Sequence, residues 1–140
     1  GLDPASVLAT TAREVPTWVM CTSAAPAGRR DALQAAGVEV MEVVASSDGR
    51  IDVPAAARAL GERGLTRVLV EGGGQVAAAF LRAGLVDRIT SYRAGLVLGS
   101  EGRSAVGPMA VERLGFAPRF RLQSVRRLED DTVESWIRGA

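Results

Sequence analysis

Residues 71–74 combine one carboxylate with three consecutive glycines, Glu-Gly-Gly-Gly, between the apolar run 68–70 and an alanine-rich segment. A helix that begins after such a turn presents unpaired N–H groups and a partial positive charge, which together attract phosphate. A carboxylate beside a phosphate would repel it. Glu71 is therefore better suited to accept hydrogen bonds from the hydroxyl groups of a substrate or of a ribose.

The glycines taken alone leave two interpretations open. Three glycines before a helix do not make the GxGxxG motif, and they lack the Lys-Ser/Thr pair of a P-loop. Glycine lets a backbone approach a ligand closely, but it also forms ordinary tight turns. The pattern is compatible with a phosphate-binding turn and with a plain connection between a strand and a helix.

The residue types that the chain lacks exclude several kinds of site. Its 140 residues include one cysteine, Cys21, and no histidine. An intramolecular disulfide is therefore impossible, which fits a reducing compartment. Zinc sites built on His and Cys, and Ser-His-Asp or Cys-His catalysis, are excluded by the same count. No metal site is expected.

Charge and hydropathy argue against two classes of partner. The formal net charge is +1 and only 4% of the residues are aromatic, whereas a nucleic-acid groove usually needs a basic surplus and stacking rings. No apolar run approaches the roughly 18–20 residues that span a bilayer. The sequence predicts a cytoplasmic protein that binds neither nucleic acid nor membrane, with a single domain over residues 1–140.

The order of the predicted elements indicates an α/β fold. Strands are predicted at 17–22, 38–44 and 67–71, and they alternate with helices at 28–37, from Asp52 onward and at 74–83. This order predicts parallel strands joined by right-handed helical crossovers. Glu71 then lies at the carboxyl end of a strand, where open α/β sheets bind their ligands.

The C-terminal part changes to an antiparallel pattern. Residues 85–99 are strand-like, and 119–128 and 132–138 read as two strands joined by a short acidic turn. Val125 falls out of phase with the apolar residues before it, which predicts a β-bulge near residues 123–124. The residues alone thus predict a parallel α/β core that ends in an antiparallel hairpin.

Three segments carry a resemblance to a known family. VLVEGGGQVAAAFLRAGLVDRI, LVLGSEGRSAVG and LGFAPRFRLQSVRRLEDDTVESWI resemble the reductase domain of the bacterial bifunctional riboflavin-biosynthesis deaminase/reductases. The resemblance runs from about residue 7 to the end of the chain and is most specific over 68–107. It implies a dihydrofolate-reductase-like, three-layer α/β/α fold with a mostly parallel sheet that ends in the antiparallel hairpin.

The resemblance also implies a function and the residues for it. The family reduces the ribose of 5-amino-6-(5-phosphoribosylamino)uracil to the ribityl form with NADPH, and a homodimer through the C-terminal strands is expected. Glu71 would contact the phosphoribosyl-pyrimidine substrate. The cofactor would be bound by the residues that follow it, Gly72, Gly73, Gly74, Gln75, Val76 and Ala77. One Gly–Gly peptide bond of this turn is expected to be cis.

Several departures from the family pattern limit the assignment. Gly74 and Gly95 replace prolines that are usual in the family, and Arg88 replaces an acid. The chain begins after the family's first strand, so the domain is expected to be N-terminally incomplete, and no catalytic acid is named. Two alternatives stay open: a related NADP-dependent reductase of another pyrimidine or pterin, and a non-catalytic fragment that retains the fold and the dimer-forming hairpin.

The other residues that could do chemistry have simpler structural explanations. Turns, solvated loop charge and core packing account for the residue types and positions of Asp48 with Arg50, Arg103, Cys21, Trp18, Trp136 and Asp130 with Asp131.

Overall fold

The computed structural model describes residues 1–139. They form two compact units, Gly1–Arg67 and a second that begins at Val68. Each unit contains helices and strands, which confirms the predicted α/β class. The single-domain organisation stays a prediction. Within the described residues, no helix has both the length and the apolar character needed to cross a membrane.

The first unit contains two parallel strands, β1 (Trp18–Cys21) and β2 (Glu39–Glu42). Helix α2 (Ala27–Ala36) connects them, as predicted, and a short helix, α1 (Val7–Thr10), precedes them. The core of this unit is formed by small and aliphatic side chains from α1, α2 and the residues beside them: Ala9, Ala12, Leu33 and Val38.

Helix α3 (Val53–Glu62) begins where the sequence predicts it. The Asp52 carboxylate accepts a hydrogen bond from the backbone N–H of Ala55 at 2.7 Å, and Pro54 lies in the first turn. Both features stabilise a helix N-terminus, because the cap satisfies a free donor and proline has no N–H to leave unsatisfied.

Gly37 ends α2 in a left-handed conformation, with φ at 102°. A Cβ at Gly37 would lie 2.5 Å from Cγ of Arg13, whose guanidinium donates to the carbonyl of Ala35 at 3.0 Å. We expect Gly37→Ala to lower the free energy of unfolding by about 1–2 kcal/mol. Urea denaturation measures this loss.

Gly49 provides the matched control for that substitution. It also has a positive φ, 77°, but nothing lies within 4 Å of its notional Cβ. Gly49→Ala therefore reports the backbone strain alone, and Gly37→Ala should cost more because Arg13 must also move. A Gly37→Ala variant as stable as the wild type would contradict the expectation.

The second unit contains helix α4 (Gly74–Arg82) and a three-stranded antiparallel sheet. Its strands are β3 (Arg88–Arg93), β4 (Phe120–Leu128) and β5 (Asp131–Arg138), in the order β3-β5-β4. Two short 3₁₀ helices, Gly99–Glu101 and Leu114–Phe116, lie between β3 and β4.

The predicted hairpin and its bulge are confirmed. β4 and β5 pair antiparallel, and the register shifts between Leu122 and Ser124, where the out-of-phase apolar pattern places a bulge. Val133, on the central strand β5, is buried. The bulge restores the alternation of the side chains along β4.

The predicted strand at 67–71 is wrong. These residues form no strand ladder within residues 1–139, and the side chain of Leu69 is 81% exposed. An apolar run shows that a segment is suited to burial, but a strand also needs a neighbouring backbone to satisfy its N–H and C=O groups. Glu71 therefore does not lie at the end of a sheet strand.

The prediction of a mostly parallel sheet is also wrong for the part of the chain that the structure describes. The parallel sheet has two strands, and the antiparallel sheet has three. The segment predicted as strand over 85–99 forms the shorter β3, which pairs antiparallel with β5. Alternating apolar residues predict a strand, but they do not determine the direction of its partner.

Candidate functional site

The first turn of α4 carries free hydrogen-bond donors. Gly73 is the N-cap, and its carbonyl accepts from the N–H groups of Val76 at 2.9 Å and Ala77 at 3.2 Å. Within residues 1–139, the N–H groups of Gly74 and Gln75 have no protein acceptor. Such donors at a helix N-terminus favour an anion. The turn thus has the donors that a phosphate requires.

The glycines before α4 differ in their surroundings. A Cβ at Gly72 would lie 3.1 Å from Cβ of Val76, so a side chain there would press against the first turn of the helix. Nothing lies within 4 Å of a notional Cβ at Gly73. The space beside Gly73 is therefore open, and a ligand phosphate can approach the free N–H donors there.

A neighbouring loop packs closely against the backbone of Gly74. A Cβ at this position would lie 2.6 Å from the carbonyl oxygen of Ser104 and 3.0 Å from the nitrogen of Gly107. The N–H of Gly107 also donates to the carbonyl of Gly74 at 2.8 Å. Only a glycine allows this approach of two backbones. The contact was not predicted from the sequence, because a glycine at 107 permits a close approach without identifying its partner.

Glu71 is exposed just before this turn. Within the described part of the chain, its carboxylate makes neither a hydrogen bond nor an ion pair. The side chains of Gln75 and Val76 are also exposed, and that of Ala77 is half-buried. Residues 71–77 therefore form one stretch of exposed and half-buried residues, with an acceptor at its start and donors at its centre.

The predicted cis peptide bond in the glycine turn is wrong. All peptide bonds among residues 1–139 are trans. The turn is made by ordinary dihedral angles instead, since Gly73 has φ −56° and ψ 174°. These angles are accessible to residues other than glycine.

Asp48 lies in a loop of the first unit that Ala45 and Ile51 close through an antiparallel bridge. Its carboxylate accepts from the Ser46 hydroxyl and from the N–H of Arg50. The Ser46 hydrogen bond, followed by that of Arg50, lowers the pKa of Asp48 below its ordinary value. These contacts explain the residue as part of a turn, as the sequence predicts.

A lowered pKa in the folded state predicts a pH dependence. The ionised Asp48 stabilises the fold above its unfolded pKa of about 4, and this contribution is lost as the pH falls through the lower folded pKa. We expect Asp48→Asn to destabilise the protein slightly at neutral pH, with the difference from wild type disappearing as the pH falls through the lowered folded pKa of Asp48. Urea unfolding at several pH values measures it.

Asp31 supplies the control for this measurement. Its exposed carboxylate accepts no hydrogen bond from other described residues. Asp31→Asn removes one negative charge without removing such a hydrogen bond, so it reports the effect of the charge alone on stability. A pH-independent difference between Asp48→Asn and the wild type would show that the carboxylate hydrogen bonds do not favour the charged form.

The remaining candidates are structural. The Arg63 guanidinium lies 5.8 Å from the ring centroid of Trp18, and the Trp136 ring N–H donates to Glu134 at 3.2 Å. Cys21 is half-buried in β1. Among residues 1–139, no group of three His, Cys, Asp or Glu side chains is arranged to hold a metal ion.

Arg103 and the acidic pair at 130–131 differ in what surrounds them. Asp130 is exposed in the turn before β5 and lies 3.5 Å from Arg127, whereas Asp131 is the first residue of β5. Asp130 therefore belongs to the hairpin turn, and Asp131 belongs to the strand that follows it. Arg103 is exposed and directly precedes Ser104, whose carbonyl faces Gly74.

A groove of about 400 Å³ lies beside the C-terminal end of α4. No pattern in the sequence predicts this groove. Apolar side chains and one charge of each sign line it: Leu81, Arg82, Met109, Val111, Glu112 and Phe116. It is formed by the opposite end of α4 from the glycine turn.

Comparison with known proteins relates the chain to one family. The family model described as the RibD C-terminal domain matches residues 2–133. The riboflavin biosynthesis protein RibD of Mycobacterium tuberculosis (strain H37Rv) is 40% identical over 80 residues, which cover 57% of this chain and 23% of that protein. RibD of Escherichia coli is 34% identical over 83 residues, covering 59% of this chain and 23% of that protein. The matches thus span about a quarter of the length of these relatives.

Solved structures show the same fold. Acinetobacter baumannii RibD superimposes with a TM-score of 0.74 at 24% identity, over 99% of this chain and 35% of that chain. A pyrimidine reductase-like protein from Corynebacterium diphtheriae gives a TM-score of 0.76 at 21% identity, over 100% of this chain and 58% of that chain. Because the family model matches nearly the whole sequence, the chain belongs to the RibD C-terminal domain family.

Proposed function

We propose that the chain is an NADPH-dependent reductase domain of riboflavin biosynthesis. The observation that carries the proposal is the family match over residues 2–133, together with a glycine turn whose donors are free. The substrate proposed is 5-amino-6-(5-phosphoribosylamino)uracil, whose ribose is reduced to the ribityl chain. A cytoplasmic location and the dihydrofolate-reductase-like layering belong to the same proposal.

The residues present fit a phosphate-bearing cofactor. The free N–H groups of Gly74 and Gln75 point to an anionic ligand, and the open space at Gly73 lets that ligand approach the backbone. Residues 72–77 would hold NADPH, as the family resemblance implies. When bound, NADPH supplies the hydride for the reduction.

In the proposed site, Glu71 binds the substrate. An ionised carboxylate accepts hydrogen bonds from sugar hydroxyls, and these bonds are stronger than those between neutral groups. Because Glu71 has no partner among residues 1–139, it can accept them without breaking a contact of the fold. It would orient the ribose next to the cofactor, while the chain holds the cofactor through backbone donors.

A reductase assay tests the proposal. The 140-residue chain is mixed with NADPH and the phosphoribosylamino-pyrimidine, and the loss of NADPH absorbance is followed together with formation of the ribityl product. Product formation in proportion to NADPH consumed is expected. Saturable NADPH binding without reduction would favour a related reductase of another pyrimidine or pterin. Absence of NADPH binding would favour a non-catalytic domain.

A homodimer through the C-terminal sheet is the proposed assembly. β4 is an edge strand, so its outer backbone groups are free of a ladder partner in the described chain. It also exposes three large apolar side chains, Leu122, Val125 and Leu128. Unpaired edges with apolar side chains favour pairing with another strand.

Sedimentation equilibrium measures the assembly. We expect the mass of a dimer, and Val125→Lys should shift the equilibrium toward the monomer because it places a charge on the edge strand. Val44→Lys is the control, since Val44 is also exposed but lies in the first unit. A wild-type protein that sediments as a monomer at all concentrations would contradict the proposal.

A further inference from the structure

Residues 104–108 are attached to α4 at two points. At the start of the helix, the Gly107 N–H donates to the Gly74 carbonyl at 2.8 Å, and the Ser104 carbonyl occupies the space that a Gly74 side chain would need. The contact is mutual, because a Cβ at Gly107 would lie 3.1 Å from the Gly74 carbonyl oxygen. The loop can therefore lie this close to the first turn of α4 only because both contacting residues, Gly74 and Gly107, lack a side chain.

The second attachment is made by Arg82, in the last turn of α4. Its Nη1 donates to the carbonyl of Pro108 at 2.6 Å. Helical side chains point toward the N-terminus of their helix, which lets a long arginine reach back along α4. Arg82 thus holds the residue that directly follows Gly107, and it does so from two turns away.

We propose that Arg82 is a positioning residue for the cofactor site. It fixes residues 104–108 against Gly74, and this contact in turn fixes the free N–H groups of Gly74 and Gln75 in the first turn of α4. Arg82 is assigned no contact with either ligand and acts through this loop. The inference rests on the proposed function, because the turn that Arg82 positions is the one assigned to NADPH.

Arg82 would position the turn by restricting the backbone conformations that its three glycines can adopt. Glycine backbones have more accessible conformations than other residues, so residues 72–74 would otherwise sample several arrangements. A ligand that binds only one arrangement has an affinity reduced by the fraction of molecules that hold it. Because the loop is held at both Gly74 and Arg82, a larger fraction of the ligand-free molecules has the arrangement that binds the ligand.

Two measurements on the 140-residue chain test the proposal. Amide hydrogen exchange at Gly107 in the ligand-free protein reports the contact, and NADPH titration reports the affinity. Arg82→Ala should speed exchange at Gly107 and raise the Kd for NADPH, each by about fivefold, which is the effect of one hydrogen bond. Arg82→Lys keeps the positive charge and a donor, and should recover part of both losses.

Arg88 provides the matched control. It is an exposed arginine of the same unit, and it also donates a single hydrogen bond, from Nη1 to the Gln123 side chain at 2.9 Å. Arg88→Ala should change neither quantity. A merely structural role for Arg82 would lower the thermal stability of the variant without raising the Kd measured well below its melting temperature.

The outcomes separate this inference from the proposed function. If wild type binds NADPH and Arg82→Ala binds it equally well, the positioning role is refuted and the proposed function stands. Equal weakening by Arg82→Ala and Arg88→Ala also refutes the positioning role. If wild type does not bind NADPH, the proposed function fails and the positioning role fails with it.

Discussion

Gly74→Ala is expected to lower the free energy of unfolding by about 2–3 kcal/mol. The new methyl group would lie 2.6 Å from the Ser104 carbonyl oxygen and 3.0 Å from the Gly107 nitrogen, and neither backbone atom can rotate away. Overpacking of this kind costs about 1–3 kcal/mol. Moving the loop also breaks the hydrogen bond from Gly107 to Gly74, which contributes about 1 kcal/mol. Urea denaturation measures the sum.

The neighbouring Gly73 is the control for this substitution. It has a negative φ, and nothing lies within 4 Å of a notional Cβ, so Gly73→Ala should change stability by less than about 0.5 kcal/mol. The same control variant separates stability from binding, because a methyl group there fills the space assigned to the cofactor. If Gly74→Ala is as stable as Gly73→Ala, the close contact with residues 104–107 is not present in solution.

Glu71→Gln is expected to lower kcat/KM for the phosphoribosylamino-pyrimidine by about 10- to 100-fold. A hydrogen bond to a charged group contributes about 1.5–3 kcal/mol, and the amide replaces the carboxylate at nearly constant volume. The Kd for NADPH should stay within about twofold of wild type, because the cofactor is assigned to the backbone donors that follow. Steady-state kinetics and NADPH titration provide the two values.

Glu112→Gln is the matched control, since Glu112 is an exposed acidic residue of the same unit. It should leave both values unchanged, which excludes a general effect of removing one negative charge. Equal losses of substrate and cofactor affinity in Glu71→Gln would contradict the division of roles between Glu71 and the glycine turn.

Features that depend on neighbouring residues in the sequence could be predicted. Asp52 caps α3, Gly37 ends α2, and the phase of Val125 locates the bulge in β4. Each of these follows from the conformational preference or hydrogen bonding of a few adjacent residues. The position of the glycine turn at the start of α4 belongs to the same group.

Features that depend on distant backbone could not be predicted. The run at 67–71 has strand composition, but a strand exists only where another backbone pairs with it. The contact between Gly74 and Gly107 joins residues far apart in the chain, and the glycines alone do not indicate which partner each will meet. The position of the glycine turn before α4 could therefore be predicted from the sequence, but the predicted structural setting of Glu71 was wrong.

Amide chemical-shift mapping tests most directly whether the first turn of α4 binds NADPH. NADPH is titrated into the 140-residue chain while the backbone N–H signals are followed. NADPH binding at this turn predicts saturable shifts concentrated at residues 72–77, the largest of them at Gly74 and Gln75, whose donors are free. Shifts that do not saturate, or that saturate only at residues outside this turn, would contradict it.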